Sequence, residues 1–253
     1  MISRDRERSI TAIKPPVIER GDALFLDFDG TLAEIAPAPD LVHVSPRMLE
    51  LLSRMEERLT GALALVTGRA IEDLTRMMSP YRFPMAGQHG LERRDSSDKV
   101  LRSGDDAAIE VARSALRDFL AEHPGLRLED KGASLSLHYR QAPAMGGACV
   151  RIAKELVEHS KGALRLVEGR MVAELVPAHA GKGGAIQAFL EEAPFLGRRP
   201  VFIGDDIGDE HGFEIVEQKG GISIRVGDGA SIAPYRLGTV ADVHEWLARS
   251  LDT

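Results

Sequence analysis

Ala23-Leu24-Phe25-Leu26-Asp27-Phe28-Asp29-Gly30-Thr31 places two carboxylates one residue apart at the end of an apolar run. The run reads as a short buried strand. Side chains alternate along a strand, so Asp27 and Asp29 start on the same side. Gly30 lets the chain turn sharply and lets backbone N–H groups approach a ligand. Thr31 adds a hydroxyl donor. Two carboxylates forced together repel unless a cation sits between them. A hard, oxygen-seeking ion such as Mg²⁺ answers that, and it recruits phosphate oxygens as further ligands. The bland alternative is a strand edge followed by an Asp-Gly turn. The stretch does not fit a calcium loop, which needs a third Asp or Asn before the glycine and a later Glu.

The 253 residues can hold one large or two modest domains. The hydrophobic share of 43% and charged share of 28% suit a soluble globular protein. A net charge of −7 argues against nucleic acid as a partner, so an anionic substrate must be held by a local cationic focus. Cys149 is the one cysteine, which excludes an intrachain disulfide and fits a reducing, cytoplasmic setting. No apolar run approaches the ~18 residues of a membrane span. Residues 1–20 lack the apolar core of a signal peptide and read as a mobile arm.

Further along, Ser45-Pro46 opens a helix as N-cap and first helical residue. Ala62-Leu63-Ala64-Leu65-Val66 is a second buried strand, followed at once by Thr67-Gly68-Arg69 and a helix. A hydroxyl and open backbone N–H groups at such a junction suit an anion. Residues 83–87 read as a third strand, with His89 a candidate for lining the site. Residues 92–98 look polar and turn-like. Residues 105–176 then read as helix, two strands, helix, two strands, the last pair a hairpin. That order predicts a small α+β domain over 92–177, inserted into a larger α/β core over 21–91 and 178–253. Residues 134–139 alternate polar and leucine, which predicts one buried and one solvated face. Glu129, Lys131, Ser134, His138, Tyr139, Arg140 and Glu174 gather on the strands of the insertion. Gly181-Lys182-Gly183-Gly184 opens a helix with a lysine placed to face an anion, without the spacing of a P-loop. Pro200-Val201-Phe202-Ile203 is a further buried strand, running into Gly204-Asp205-Asp206-Ile207-Gly208-Asp209-Glu210. Asp242 with Glu245 predicts a capping box for the last helix.

Asp27-x-Asp29, Thr67, Lys182 and Asp205 with Asp209 occur in the order of the four motifs of haloacid-dehalogenase-like phosphatases. This resemblance covers nearly the whole chain from about residue 22, and the insertion resembles that superfamily's larger type of cap. Finer stretches are similar to bacterial trehalose-6-phosphate phosphatases: Ala33-Glu34-Ile35, Tyr81-Arg82-Phe83-Pro84, Ala86-Gly87-Gln88-His89-Gly90, Lys131 with His138-Tyr139-Arg140, Glu174 with Pro177, and Ala193-Pro194-Phe195. Gly208 departs from the threonine usual in that family.

The resemblance implies a doubly wound, parallel-sheet α/β core and a Mg²⁺-dependent phosphatase making trehalose from trehalose 6-phosphate. Asp27 would be the nucleophile and Asp29 the general acid and base. Thr67, the Gly68 N–H and Lys182 would hold phosphate, and Arg69 would contact the substrate. The metal ligands would be Asp27, Asp205 and the Asp29 backbone carbonyl, with Asp206 and Asp209 placing Lys182 or metal waters. Glu129, Lys131, Arg140, Glu174 and His89 would meet the substrate. A monomer acting on a small sugar phosphate, with no nucleic acid and no membrane as partner, is expected. The rival readings are a phosphatase for sucrose phosphate or mannosyl-phosphoglycerate, and a non-catalytic sugar-phosphate sensor.

Overall fold

The computed structural model describes residues 13–36, 41–102, 107–130, 132–169, 171–178 and 180–253. The chain forms two compact units, Met1–Leu65 with Leu190–Thr253, and Val66–Phe189. In chain order, β1 (Asp22–Leu26), α1 (Pro46–Arg58) and β2 (Leu63–Val66) open the first unit. The second runs through α2 (Ile71–Met77), β3 (Met85–Gly87), β4 (Glu92–Arg94), β5 (Val100–Arg102), α3 (Ala107–Ala121), β6 (Arg127–Asp130), β7 (Leu135–His138), α4 (Gly146–His159), β8 (Leu164–Gly169), β9 (Val172–Pro177) and α5 (Lys182–Leu190). The first unit resumes with β10 (Arg199–Gly204), α6 (Glu210–Gln218), β11 (Ile222–Val226), β12 (Tyr235–Leu237) and α7 (Val240–Leu251).

Five parallel strands lie in the order β12-β11-β10-β1-β2. β1 and β2 are buried along their whole length, as strands covered on both faces must be. That is why they read as continuous apolar runs. Phe25 of β1 stacks on Phe195 at 5.5 Å between ring centroids, so the Ala193-Pro194-Phe195 stretch serves the core. Phe213 of α6 meets Phe202 of β10 at 5.2 Å. Gly212 permits that approach, because a Cβ there would overlap the Phe202 ring. Helix α1 starts where its sequence predicts: Ser45 Oγ accepts the Met48 N–H at 3.2 Å and Pro46 follows. The cap of α7 differs from expectation. Thr239 is the N-cap and Asp242 the N3 partner, because the helix begins three residues earlier than the Asp242–Glu245 reading placed it.

The mobile arm expected over residues 1–20 is corrected for its described part, residues 13–20. Ile18 is buried and its N–H donates to Ser250 Oγ at 3.1 Å. Trp246 Nε1 donates to the Pro16 carbonyl at 2.8 Å, and Ile13 bridges to Tyr235. Isolated apolar residues among charges hid this docking, since their partners lie over 200 positions away in sequence.

In the second unit, β6-β7-β9-β8 form an antiparallel sheet. Ile109 and Leu116 of α3 and Cys149 of α4 pack with Leu135, Leu137 and Leu175. The predicted helix–strand–strand–helix–strand–strand order is the observed one. Of residues 92–98, expected to be polar and turn-like, 95–98 do form a turn, but 92–94 are the strand β4, which pairs with β5. Arg94 misled the reading. It is a buried strand residue whose Nη2 donates to the Phe83 carbonyl at 3.0 Å and whose Nη1 donates to Thr75 Oγ1 at 2.9 Å. The compact units also divide the chain outside the 92 and 177 boundaries. The Glu92 carboxylate accepts the Ile71 N–H at 3.1 Å, and Arg93 lies over the Phe189 ring at 5.0 Å. These contacts draw α2, β3 and α5 into the second unit.

Candidate active site

The first unit gathers carboxylates at the ends of two adjacent strands. Asp27 sits one residue past β1, is buried, and extends the pairing with β10 by donating its N–H to the Ile203 carbonyl at 3.0 Å. Thr31 Oγ1 donates to Asp27 Oδ2 at 3.0 Å. Asp205 follows β10, and one oxygen each from Asp27, Asp205 and Asp209 lies within 4.8 Å of the others. Asp209 was expected outside the ligand set; the structure brings its carboxylate into this group. Its Oδ2 accepts the N–H groups of Asp205 and Asp206, each at 3.1 Å. Asp206 is exposed and serves as cap of the following turn, accepting the Gly208 N–H at 2.6 Å. Asp29 is half-buried beyond the group, and a short bridge joins it to Ala33.

Two glycines make this crowding possible. A Cβ on Gly30, which has φ +78°, would overlap the Asp205 carboxylate. One on Gly204 would overlap the carboxyl of Asp209. Gly30→Ala should therefore cost at least about 1 kcal/mol in stability from the left-handed backbone alone. It should also displace Asp205. Denaturant melts with and without added Mg²⁺ check both, because the variant should lose most of any Mg²⁺-induced stabilisation. Three carboxylates so close form a hard oxygen donor set of high negative charge, which fits a small divalent cation.

The second unit builds a separate group. Thr67 is 1% exposed, and its N–H donates to the Ala86 carbonyl at 2.9 Å. Thr67 Oγ1 accepts the Arg69 N–H at 3.2 Å. The Arg69 carbonyl accepts the Gln88 N–H at 2.8 Å. Gly87 lets the two segments touch, since a Cβ there would lie 2.7 Å from the Arg69 carbonyl oxygen. Gly90, at φ +88°, rests against the Gly181 backbone in the same way. The Thr67-Gly68-Arg69 loop and the start of α5 are thus linked through the Gln88-His89-Gly90 turn. Lys182, the first residue of α5, is 4% exposed. The side chain of His89 and the whole of Lys131 lie outside the described residues.

On β6, β7 and β9, Glu129 pairs in register with Ser136, and Ser136 with Glu174. His138 Nε2 and Glu129 Oε2 are 2.9 Å apart. Arg140 is exposed in the turn after β7. The polar face of β7 was expected to be solvated; Ser134 and Ser136 are instead each 1% exposed and bonded to Glu174. Ser136 and Arg165 were not singled out from the sequence. The hint available was the i, i+2 serine pair opposite a carboxylate-bearing strand.

A parallel α/β sheet with one carboxylate at the end of a strand and two more beyond its neighbour is the arrangement of haloacid-dehalogenase-like phosphatases. The sequence profile of the trehalose-phosphatase family matches residues 25–239, and the chain belongs to that family. It is 43% identical over 234 residues to trehalose-6-phosphate phosphatase of Escherichia coli K12, covering 92% of this chain and 87% of that one. It is 42% identical over 205 residues to a probable trehalose-phosphate phosphatase of Sinorhizobium fredii, covering 81% and 77%. Its fold matches a solved structure of Aspergillus fumigatus trehalose-6-phosphate phosphatase, with TM-score 0.80, 23% identity and coverage of 92% and 94%.

Proposed function

We propose that this chain hydrolyses trehalose 6-phosphate to trehalose and inorganic phosphate, as a Mg²⁺-dependent phosphatase of the cytoplasm. The observation that carries the reading is the acidic group Asp27, Asp205 and Asp209, set at adjacent strand ends in a member of the trehalose-phosphatase family. No described helix is long and apolar enough to cross a membrane.

Asp27, Asp205 and the Asp29 backbone carbonyl would hold the cation, with Asp209 completing the acidic group. A bound Mg²⁺ supplies charge neutralisation between a carboxylate and a phosphate dianion. The Asp27 carboxylate attacks phosphorus, and the bond from phosphorus to the sugar oxygen breaks. The Asp29 carboxyl gives its proton to that oxygen. In the second half-reaction the Asp29 carboxylate takes a proton from water, whose oxygen attacks phosphorus and frees Asp27. Thr67, the Gly68 N–H and Lys182 hold the phosphate oxygens, and Arg69 flanks them. Residues 92–177 act as the cap, where Glu129, Lys131, Arg140 and Glu174, with His89 nearby, meet sugar hydroxyls. Asp206 stabilises the turn that presents Asp209.

The test is phosphate release from trehalose 6-phosphate beside glucose 6-phosphate, sucrose phosphate and mannosyl-phosphoglycerate, with and without Mg²⁺. Highest kcat/KM on trehalose 6-phosphate is expected. A preference for sucrose phosphate or mannosyl-phosphoglycerate would move the assignment to a neighbouring phosphatase. Tight binding without turnover would make the chain a sensor.

A further inference from the structure

The sheet β6-β7-β9-β8 turns Leu135, Leu137, Ala173 and Leu175 toward α3 and α4. Ser134, Ser136, His138 and Glu174 alternate with them and so leave on the opposite face. On that face Glu129, Ser136, Glu174 and Val167 stand side by side across the four strands. Glu129 and Glu174 are therefore two strand spacings apart, about 10 Å between backbones.

Both serines are 1% exposed. A buried hydroxyl takes a partner, and here both take the same atom. Ser134 Oγ donates to Glu174 Oε1 at 3.2 Å and Ser136 Oγ donates to it at 3.0 Å. Arg165 sits diagonally from Glu174 on this face, and its Nη2 donates to the Ala180 carbonyl at 2.9 Å. Burial pushes the Arg165 guanidinium below its ordinary range, and the negative charge of Glu174 pushes it back up.

A carboxylate with one oxygen fixed by two hydroxyls cannot turn freely about its last torsion, which is otherwise broad. Apolar residues at 134 and 136 would fill the space without fixing it.

We propose that Ser134 and Ser136 are positioning residues for sugar recognition, fixing the Glu174 carboxylate so that a trehalose hydroxyl meets an acceptor already in place. This rests on Glu174 being a sugar contact. Ordering the acceptor before binding removes a cost of association, so the effect falls on KM for the sugar phosphate rather than on kcat.

The experiment compares kcat and KM on trehalose 6-phosphate and on 4-nitrophenyl phosphate for five variants: Glu174→Ala, Ser136→Ala, Ser134→Ala/Ser136→Ala, Ser136→Thr, and Ser136→Ala/Glu174→Ala. The readout is the ratio of kcat/KM on the sugar phosphate to that on the aryl phosphate. Glu174→Ala should lower it roughly 10- to 150-fold, the loss of one charged hydrogen bond. The double serine variant should lower it about 5- to 20-fold, chiefly through KM. Ser136→Thr keeps the hydroxyl and should hold the ratio near wild type. Removing Ser136 should add little once Glu174 is gone, because the two act as one unit. An unchanged ratio in Glu174→Ala would overturn the sugar contact and the positioning role together. A low ratio in Glu174→Ala with no change in the serine variants would overturn positioning alone. An undiminished serine effect in the Glu174→Ala background, or a fall in kcat on both substrates, would also overturn it.

Discussion

Asp27→Asn leaves a folded protein that releases no phosphate. The amide is isosteric with the carboxylate, so the buried site keeps its shape, but an amide oxygen does not attack phosphorus and is a weaker cation ligand. Losing a covalent nucleophile outright lowers kcat by at least about 10³-fold. Stability should move the other way in metal-free buffer. Three carboxylates have oxygens within 4.8 Å of one another, and removing one relieves like-charge repulsion. The expected pair of results is therefore a dead enzyme with an unchanged or raised Tm. Turnover above a trace in pure Asp27→Asn would take the nucleophile role from this residue. A lowered Tm would mean that the Thr31 hydroxyl bond to Asp27 outweighs the repulsion.

Chelation should have a comparable effect on turnover. With the cation removed by EDTA, Asp27, Asp205 and Asp209 face a phosphate dianion with no intervening positive charge, and phosphate release should fall to background. Mg²⁺ should restore it. Ca²⁺ should restore it poorly, because its larger and looser coordination does not hold a nucleophile in line. Mg²⁺ at 100 times its Kd should add about 2.7 kcal/mol of stability by mass action. That gain should vanish in Asp205→Asn if this carboxylate is a ligand. Full activity after exhaustive chelation would sink the metal assignment, whatever the thermal data say.

The strand ends were legible in sequence because buried parallel strands are continuous apolar runs, and a carboxylate or hydroxyl just past such a run stands out against it. That is why Asp27, Thr67 and Asp205 could be placed before any coordinates. Asp209 was harder: its carboxylate turns back over Gly204, a contact set by a turn whose geometry the residues Asp205-Asp206-Ile207-Gly208 do not specify. Arg94 and Ser136 were misread for one reason. A polar side chain in a strand signals solvent unless its partner is known, and here the partners are a carbonyl 11 residues away and a carboxylate 38 residues away. The docking of residues 13–20 was missed likewise, its partners lying 222 to 232 positions away.

Trp246 is the protein's sole tryptophan, and it is 1% exposed with its indole N–H on the Pro16 carbonyl. Indole fluorescence therefore comes from a single side chain, seated where the beginning of the described chain is fastened to its last helix. Its emission reports the melting of the first unit and the release of the Pro16 segment. Loss of order confined to Val66–Phe189 leaves that emission unchanged. A denaturation curve followed by tryptophan fluorescence and one followed by far-ultraviolet dichroism can accordingly separate for this protein, and the gap between them measures how independently the second unit unfolds.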